Sequence, residues 1–259
     1  MCIRDSVCAI IVFSMMLMCF IGPLLLKLIF GYEYQKTNLA LGAVGPSWDH
    51  IFGTDFLGRD LFTRVLKGGQ VSIKIGFVAA IVAAIVGTLY GAVSGFSHRT
   101  VDNFMMRFVD IMYSLPYMFL VIIFMTMTDS KSEMLLFAAL GLVGWLTTAR
   151  IVRGQVLSLK KREFILAAKS IGVSTPGIIF KHLIPNTLGP VIIYFTLTVP
   201  NMILQEAFLS FLGLGVQPPK PSLGSLINDG ANHMIAFWWE LVFPASFMAI
   251  LLFLSLIHI

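Results

Sequence analysis

Charge is what this sequence has least of: 12% of its 259 residues are Asp, Glu, Lys or Arg, where a soluble domain carries about 25%. Half the usual share leaves too little polar surface to clothe a water-soluble particle, which excludes a soluble globular domain. No G-x-x-x-x-G-K-[ST] segment is present either, so the chain lacks the backbone cradle and lysine that grip ATP phosphates. The cysteines are few, and Cys2, Cys8 and Cys19 all lie in or beside the first apolar run; without metal-ligand spacing they read as packing residues. His50, His98, His182, His233 and His258 show no pairing at ligand spacing, so neither a metal site nor a cofactor is expected. The serines lack a nucleophile context. ATP hydrolysis, zinc chemistry and serine catalysis all drop out, and no enzyme is expected.

Apolar residues, by contrast, make up 58% of the chain and gather in long uncharged runs. A run of about 17–25 such residues crosses the roughly 30 Å hydrocarbon core as a helix. The expected fold is all-α, a polytopic transmembrane bundle forming one domain over 1–259, with spans at about 7–30, 75–96, 109–128, 134–151, 188–212 and 241–257. The first run is too long for a signal peptide, and no small-residue cleavage site follows it. The net charge of +5 is not spread as a nucleic-acid face; it concentrates between spans, where it reports topology instead.

With the N-terminus inside, the loops 97–108 and 152–187 face the cytoplasm, and the second holds or borders Arg150, Arg153, Lys160, Lys161, Arg162, Lys169 and Lys181. The loops 31–74, 129–133 and 213–240 fall outside, where Asp49, Asp55, Asp60, Asp129, Glu133 and Asp229 offset most of the basic residues. Both termini are then cytoplasmic. Arg59, Arg64, Lys67 and Lys74 run against the rule, but Leu57, Leu61, Phe62, Val65 and Leu66 give that stretch an apolar face. It is expected to lie along the interface with its basic groups among the headgroups.

The loop 152–187 is the most informative segment. A helical stretch, Lys160 to Ile171, holds Glu163, Leu166, Ala167 and Ala168 and ends at Gly172, a residue suited to the left-handed turn past a helix. After Val173 and Ser174, Thr175 is the expected N-cap of a second helix with Pro176 in its first turn. That helix carries Ile178, Ile179, Phe180 and Leu183 and is expected to end where Pro185 begins a new element. Two short helices hinged at a glycine resemble a docking knob. A loop that only grips anionic lipid would require neither the hinge nor the apolar cluster.

The same residues resemble a family. Ala167-Ala168-x-x-x-Gly172, with Pro185 thirteen residues on, looks like the coupling loop of ABC importer permeases. The segments His50 to Asp60, Val143-Gly144-Trp145 with Arg150 to Gln155, and Phe208 to Pro219 resemble permeases of the oligopeptide and dipeptide type, in particular the second subunit of the pair. The resemblance implies a bacterial inner-membrane protein that forms half of a translocation path for peptides. It implies a homologous second permease, two cytoplasmic ATPase subunits gripping the 160–186 loop, an extracytoplasmic solute-binding protein, and the lipid bilayer as partners. Nickel or another small solute is the alternative cargo within the family. Leu166 stands where the family has its first glutamate, and both chain ends (Met1 to Ser6 and Leu254 to Ile259) depart from the family pattern, so a fragment is expected.

Three further features stand out. Ala79, Ala83, Gly87, Gly91 and Gly95 recur every four residues, a small-residue stripe that reads as a packing seam, with a pore lining as the alternative. Glu206 is the one acid placed within a span. It either lines the path or bonds to the partner permease, or it sits near the outer end of the fifth span, solvated or paired with nearby backbone. Asp110 is expected as an interfacial acid at the start of the third span. A secondary transporter or channel would instead show coupling acids or broken helices near mid-membrane, and the sequence offers only Glu206 and a few Gly/Pro interruptions.

Overall fold

The first departure from these expectations is the length of the second helix. A computed structural model describes residues 3–127 and 133–258. Within it α1 spans Ile3–Phe30 and α2 spans Leu61–Phe96. At 1.5 Å per residue α2 is about 54 Å long, against a hydrocarbon core of about 30 Å. Its first turns therefore reach beyond the bilayer, and the span expected from residue 75 is only its second half. Asp60 starts the helix: its Oδ2 accepts from the Thr63 backbone N–H at 2.8 Å and the Thr63 hydroxyl at 2.6 Å, a side-chain N-cap.

The third expected span is two helices. α3 (Arg99–Ser114) and α4 (Tyr117–Thr126) meet at Leu115-Pro116 with a bend of 83°. Pro116 has no N–H to give and biases Leu115 to extended backbone, which Leu115 adopts (φ −84°, ψ 137°). Asp110 consequently lies near the end of α3 and not at a helix start. The first-turn acid of α3 is Asp102.

α5 (Glu133–Leu159) runs eight residues past the expected end of the fourth span. α6 (Glu163–Ser170), α7 (Thr175–Ile178), a π-helical turn (Ile179–Leu183) and α8 (Ile184–Phe211) follow, then α9 (Leu223–His233) and α10 (Trp238–His258). Among the described residues five helices are long and apolar enough to cross a membrane, or six spans where the bent α3–α4 pair is counted as one. The loop expected at 129–133 lies, apart from Glu133, outside the described residues, as does Cys2. Cys8 and Cys19 are free and buried.

Two units divide the chain. The first comprises Met1–Phe77, Thr128–Leu136 and Pro200–Ile259; the second comprises Val78–Met127 and Phe137–Val199. Within the first, Leu61, Val65 and Leu66 are buried in protein, and Arg59 and Arg64 pair with Asp55, so these arginines do not sit among headgroups. α9 runs antiparallel to the start of α2: a Cβ on Gly68 would lie 3.1 Å from the Ser222 carbonyl carbon, while Arg64 reaches Asp229 at 3.9 Å. Burial between these elements raises the Asp229 carboxyl above the usual range, and Arg64 and Arg59 pull it back only in part.

In the second unit, Ala92, Val152, Val156, Ile165, Ala168, Ile178, Ile179, Leu183 and Val191 form one buried apolar core. It joins the ends of α2 and α5 to the two loop helices.

Candidate functional site

The loop between α5 and α8 is built from a helix stop. α6 carries Glu163 in its first turn and Lys169 in its last, both favourable to the helix dipole. It ends with the Val173 N–H bonded to the Ala168 carbonyl at 3.0 Å and the Gly172 N–H bonded to the Lys169 carbonyl at 3.0 Å. That pair of bonds is the Schellman arrangement, which requires a left-handed residue at the stop. Gly172 supplies it at φ +83°. A Cβ at Gly172 would meet nothing within 4 Å, so backbone conformation and not space is the constraint. Gly172→Ala should cost about 1–2 kcal/mol in thermal unfolding of the purified protein, and Gly172→Asn, which tolerates the left-handed region better, should cost less.

The second loop helix differs from expectation at both ends. Its N-cap is Ser174, without a side-chain cap bond, and Thr175 and Pro176 are already helical. Nor does it stop at Pro185: a π turn carries it straight into α8. A π turn widens the i→i+4 ladder to i→i+5, and here it falls on the residues just before a proline that has no N–H and whose ring crowds the preceding turn. The apolar cluster also divides. Ile178 and Ile179 are buried in the core beside Ile165 and Ala168, whereas Phe180 is 60% exposed. Ala167 points outward with Phe164, Leu166 and Ile171, the last of these 81% exposed. Each loop helix therefore fixes one face to the protein and presents another.

The root of the loop is polar and tightly bonded. Arg153 of α5 donates from Nε to Asp102 Oδ1 at 2.6 Å and from Nη2 to Oδ2 at 2.7 Å, and the Ser94 hydroxyl of α2 adds a bond to Oδ1 at 2.6 Å. A bidentate fork of this kind fixes orientation as well as distance. Lys160 Nζ reaches the Gly95 carbonyl at 2.8 Å, and Lys169 Nζ lies 4.8 Å from the Phe96 ring centroid. Asp102, and its bonds from Ser94 and Arg153, were missed in the sequence. Asp102 sits on the buried face of an amphipathic helix, but its partner is 51 residues away, and no local spacing reveals that.

The small-residue stripe lies along α5. Ala79, Ala83, Gly87, Gly91 and Gly95 are all buried. A Cβ on Gly87 would lie 2.7 Å from the Trp145 carbonyl oxygen, one on Gly95 would lie 2.9 Å from that of Arg153, and one on Gly91 would run into that of Ala149. α2 and α5 thus meet backbone to backbone, as glycine allows in lipid.

Glu206 belongs to the other unit. It is fully buried, and its carboxylate accepts from the Ser72 hydroxyl of α2 and the Ser210 hydroxyl of α8, both at 2.6 Å. Ser72 Oγ in turn accepts from the Leu223 N–H at 3.2 Å, at the first residue of α9. The carboxyl is therefore tied by two hydroxyls to α2 and α8, and through Ser72 to the start of α9. Among the described residues no three His, Cys, Asp or Glu are grouped to hold a metal ion.

Comparison with known proteins places this architecture. The family described as the binding-protein-dependent transport system inner membrane component matches residues 87–259, which contain the loop, its root and the stripe from Gly87 onward. The chain belongs to that family. This inner membrane component is 47% identical to the oligopeptide transport system permease protein OppC of Escherichia coli (strain K12) over 96% of its own length and 82% of the relative's. It is 41% identical to OppC of Bacillus subtilis (strain 168), covering 94% and 78% of the two chains. Identity to the dipeptide transport system permease protein DppC of the same organism is also 41%, over 94% and 75%. Its fold is that of a chain in an inward-facing structure of the MetNI methionine ABC transporter, with a TM-score of 0.55 at 17% identity, covering 76% of this chain and 91% of that one.

Proposed function

We propose that this chain is one of two permease halves of a bacterial ABC importer for oligopeptides or dipeptides, and that its 160–186 loop couples transport to separate ATPase subunits. The observation that carries the reading is the two-faced loop. Ile165, Ala168, Ile178 and Ile179 anchor it to α2 and α5, while Phe164, Leu166, Ile171 and Phe180 are exposed, as are the basic residues Lys161, Arg162, Lys169 and Lys181. Apolar side chains exposed together with charged ones on a protein surface suit a protein partner. The rigid root means that a push on α6 is delivered to α2, α3 and α5 together. Peptide cargo rests on the names borne by relatives at 41–47% identity.

In this scheme the chain spans the inner membrane with both termini in the cytoplasm. The segments 31–74 and 213–240 meet an extracytoplasmic binding protein, a homologous permease completes the path, and two ATPase subunits hydrolyse ATP. Closure of the ATPase pair rocks the helices between inward-open and outward-open states. The test is reconstitution in proteoliposomes with the second permease, ATPases and binding protein of the same locus. Uptake of labelled peptide is expected only with hydrolysable ATP. Uptake that persists without the ATPases contradicts the proposal, and uptake of nickel in place of peptide removes the peptide assignment.

A further inference from the structure

Where α3 breaks, the second unit carries an exposed polar face. Arg150 of α5 donates to Asp110 of α3 at 2.6 Å, with side chains 44% and 60% exposed. The same guanidinium lies 4.0 Å from the ring centroid of Tyr113, whose hydroxyl is 2.5 Å from that of Thr147. Ser114 and Leu115, at the break itself, are exposed too. These groups lie within membrane-spanning elements. Thr147 and Arg150 fall inside the apolar helix Met134–Leu159. α4 has ten residues and is only about 15 Å long, half the core thickness, so it is long and apolar enough to cross only together with α3, through the break.

Two physical costs then point the same way. An exposed ion pair facing hydrocarbon is expensive, and such residues face protein or water. Irregular backbone at membrane depth is tolerated only where protein buries it or where it lines a water-filled cavity. At the end of α3 the last carbonyls have no helical partner, and Pro116 contributes no N–H. The pair and the break are independent features, and they occupy one face.

We infer that the face formed by Asp110, Tyr113, Ser114, Thr147 and Arg150 lines the aqueous path and binds the main chain and termini of peptides in transit. The inference rests on the proposed importer function and adds the residues that meet the cargo. A guanidinium suits a peptide carboxylate or carbonyl. Asp110 and the carbonyls of the last turn of α3 suit an ammonium group or backbone N–H. None of these contacts reads a side chain, so the face serves peptides of varied sequence.

The test uses the assembled importer in proteoliposomes, with Cys2, Cys8 and Cys19 replaced and single cysteines introduced by Ser114→Cys or Thr147→Cys. The comparison is Phe13→Cys on the exposed apolar surface of α1. A charged, membrane-impermeant methanethiosulfonate should modify the two face positions at least about tenfold faster than the α1 position, since thiol reactivity follows access to water. Saturating trialanine should slow that modification. Rates no faster than Phe13→Cys overturn the inference and assign the face to lipid or to the second permease. Fast modification without protection by trialanine overturns the peptide contact. ATP-driven uptake measured in the same vesicles separates the two levels: failure of uptake in the cysteine-free parent counts against the importer reading, whereas normal uptake with unreactive cysteines counts against this inference alone.

Discussion

Replacing Asp55 by alanine should destabilise the segment ahead of α2 by about 3–5 kcal/mol, the range for leaving a buried charge without its partner. Asp55 Oδ1 accepts from the Leu57 and Arg59 backbone N–H groups, each at 2.9 Å, and Oδ2 accepts from Arg59 Nε at 2.7 Å and from Arg64 Nη1. The Arg64 side chain is 6% exposed and that of Asp55 4%, so water cannot take over when the carboxylate is removed. Among the described residues Arg64 Nε already lacks a hydrogen-bond partner, which leaves the guanidinium little to fall back on. Asp229, at 3.9 Å, is a distant substitute. The measurement is thermal unfolding of the detergent-purified importer together with protease cleavage between residues 31 and 60. Asp55→Ala should lower the melting temperature and open that segment to protease, and Asp55→Asn, which still accepts the backbone bonds, should do less. Equal and small effects of the two would show that the charge is not what holds the segment.

The second large effect is expected at Gly91. Overpacking a core costs about 1–3 kcal/mol where side chains can shift, but Gly91 faces backbone: a Cβ there would run into the Ala149 carbonyl and lie 3.0 Å from the Arg153 N. Gly91→Leu must push α2 away from α5 and so pull at the Asp102–Arg153–Ser94 root beside it. Loss of the assembled importer from membranes is the expected outcome. Gly154→Leu is the matched control, because a Cβ at Gly154 meets nothing within 4 Å, and it should assemble normally. Assembly of both variants at equal yield would contradict the close seam between α2 and α5.

Much of this was legible in the sequence because lipid imposes simple rules. The scarcity of charge and the length of the apolar runs pointed to an all-α membrane bundle, and Gly172 announced its left-handed turn. What escaped the sequence has identifiable physical causes. The outer turns of α2 look interfacial because Arg59 and Arg64 are basic, but a carboxylate at Asp55 buries them. Pro116 was the cue for the broken third span, yet its apolar neighbours mask it in a hydropathy profile, which averages over a break that costs no hydrophobicity. Pro185 misleads in the opposite direction: a proline usually marks a boundary, and a π turn here absorbs it. The split of Ile178 and Ile179 from Phe180 depends on where α2 and α5 end, which is tertiary information. Asp102 and Arg153 pair across 51 residues, beyond the reach of any local pattern.

The central claim is that the loop after α5 transmits work from an ATPase, and a cysteine cross-link tests it most directly. Lys181 is exposed on the second loop helix, so Lys181→Cys in a background without Cys2, Cys8 and Cys19 is placed opposite single cysteines on the ATPase subunits of the same locus. The coupling reading predicts a cross-link whose yield changes when ATP is bound and which blocks peptide uptake until reduced. A loop that cross-links to no ATPase, in vesicles that still import peptide, would contradict it.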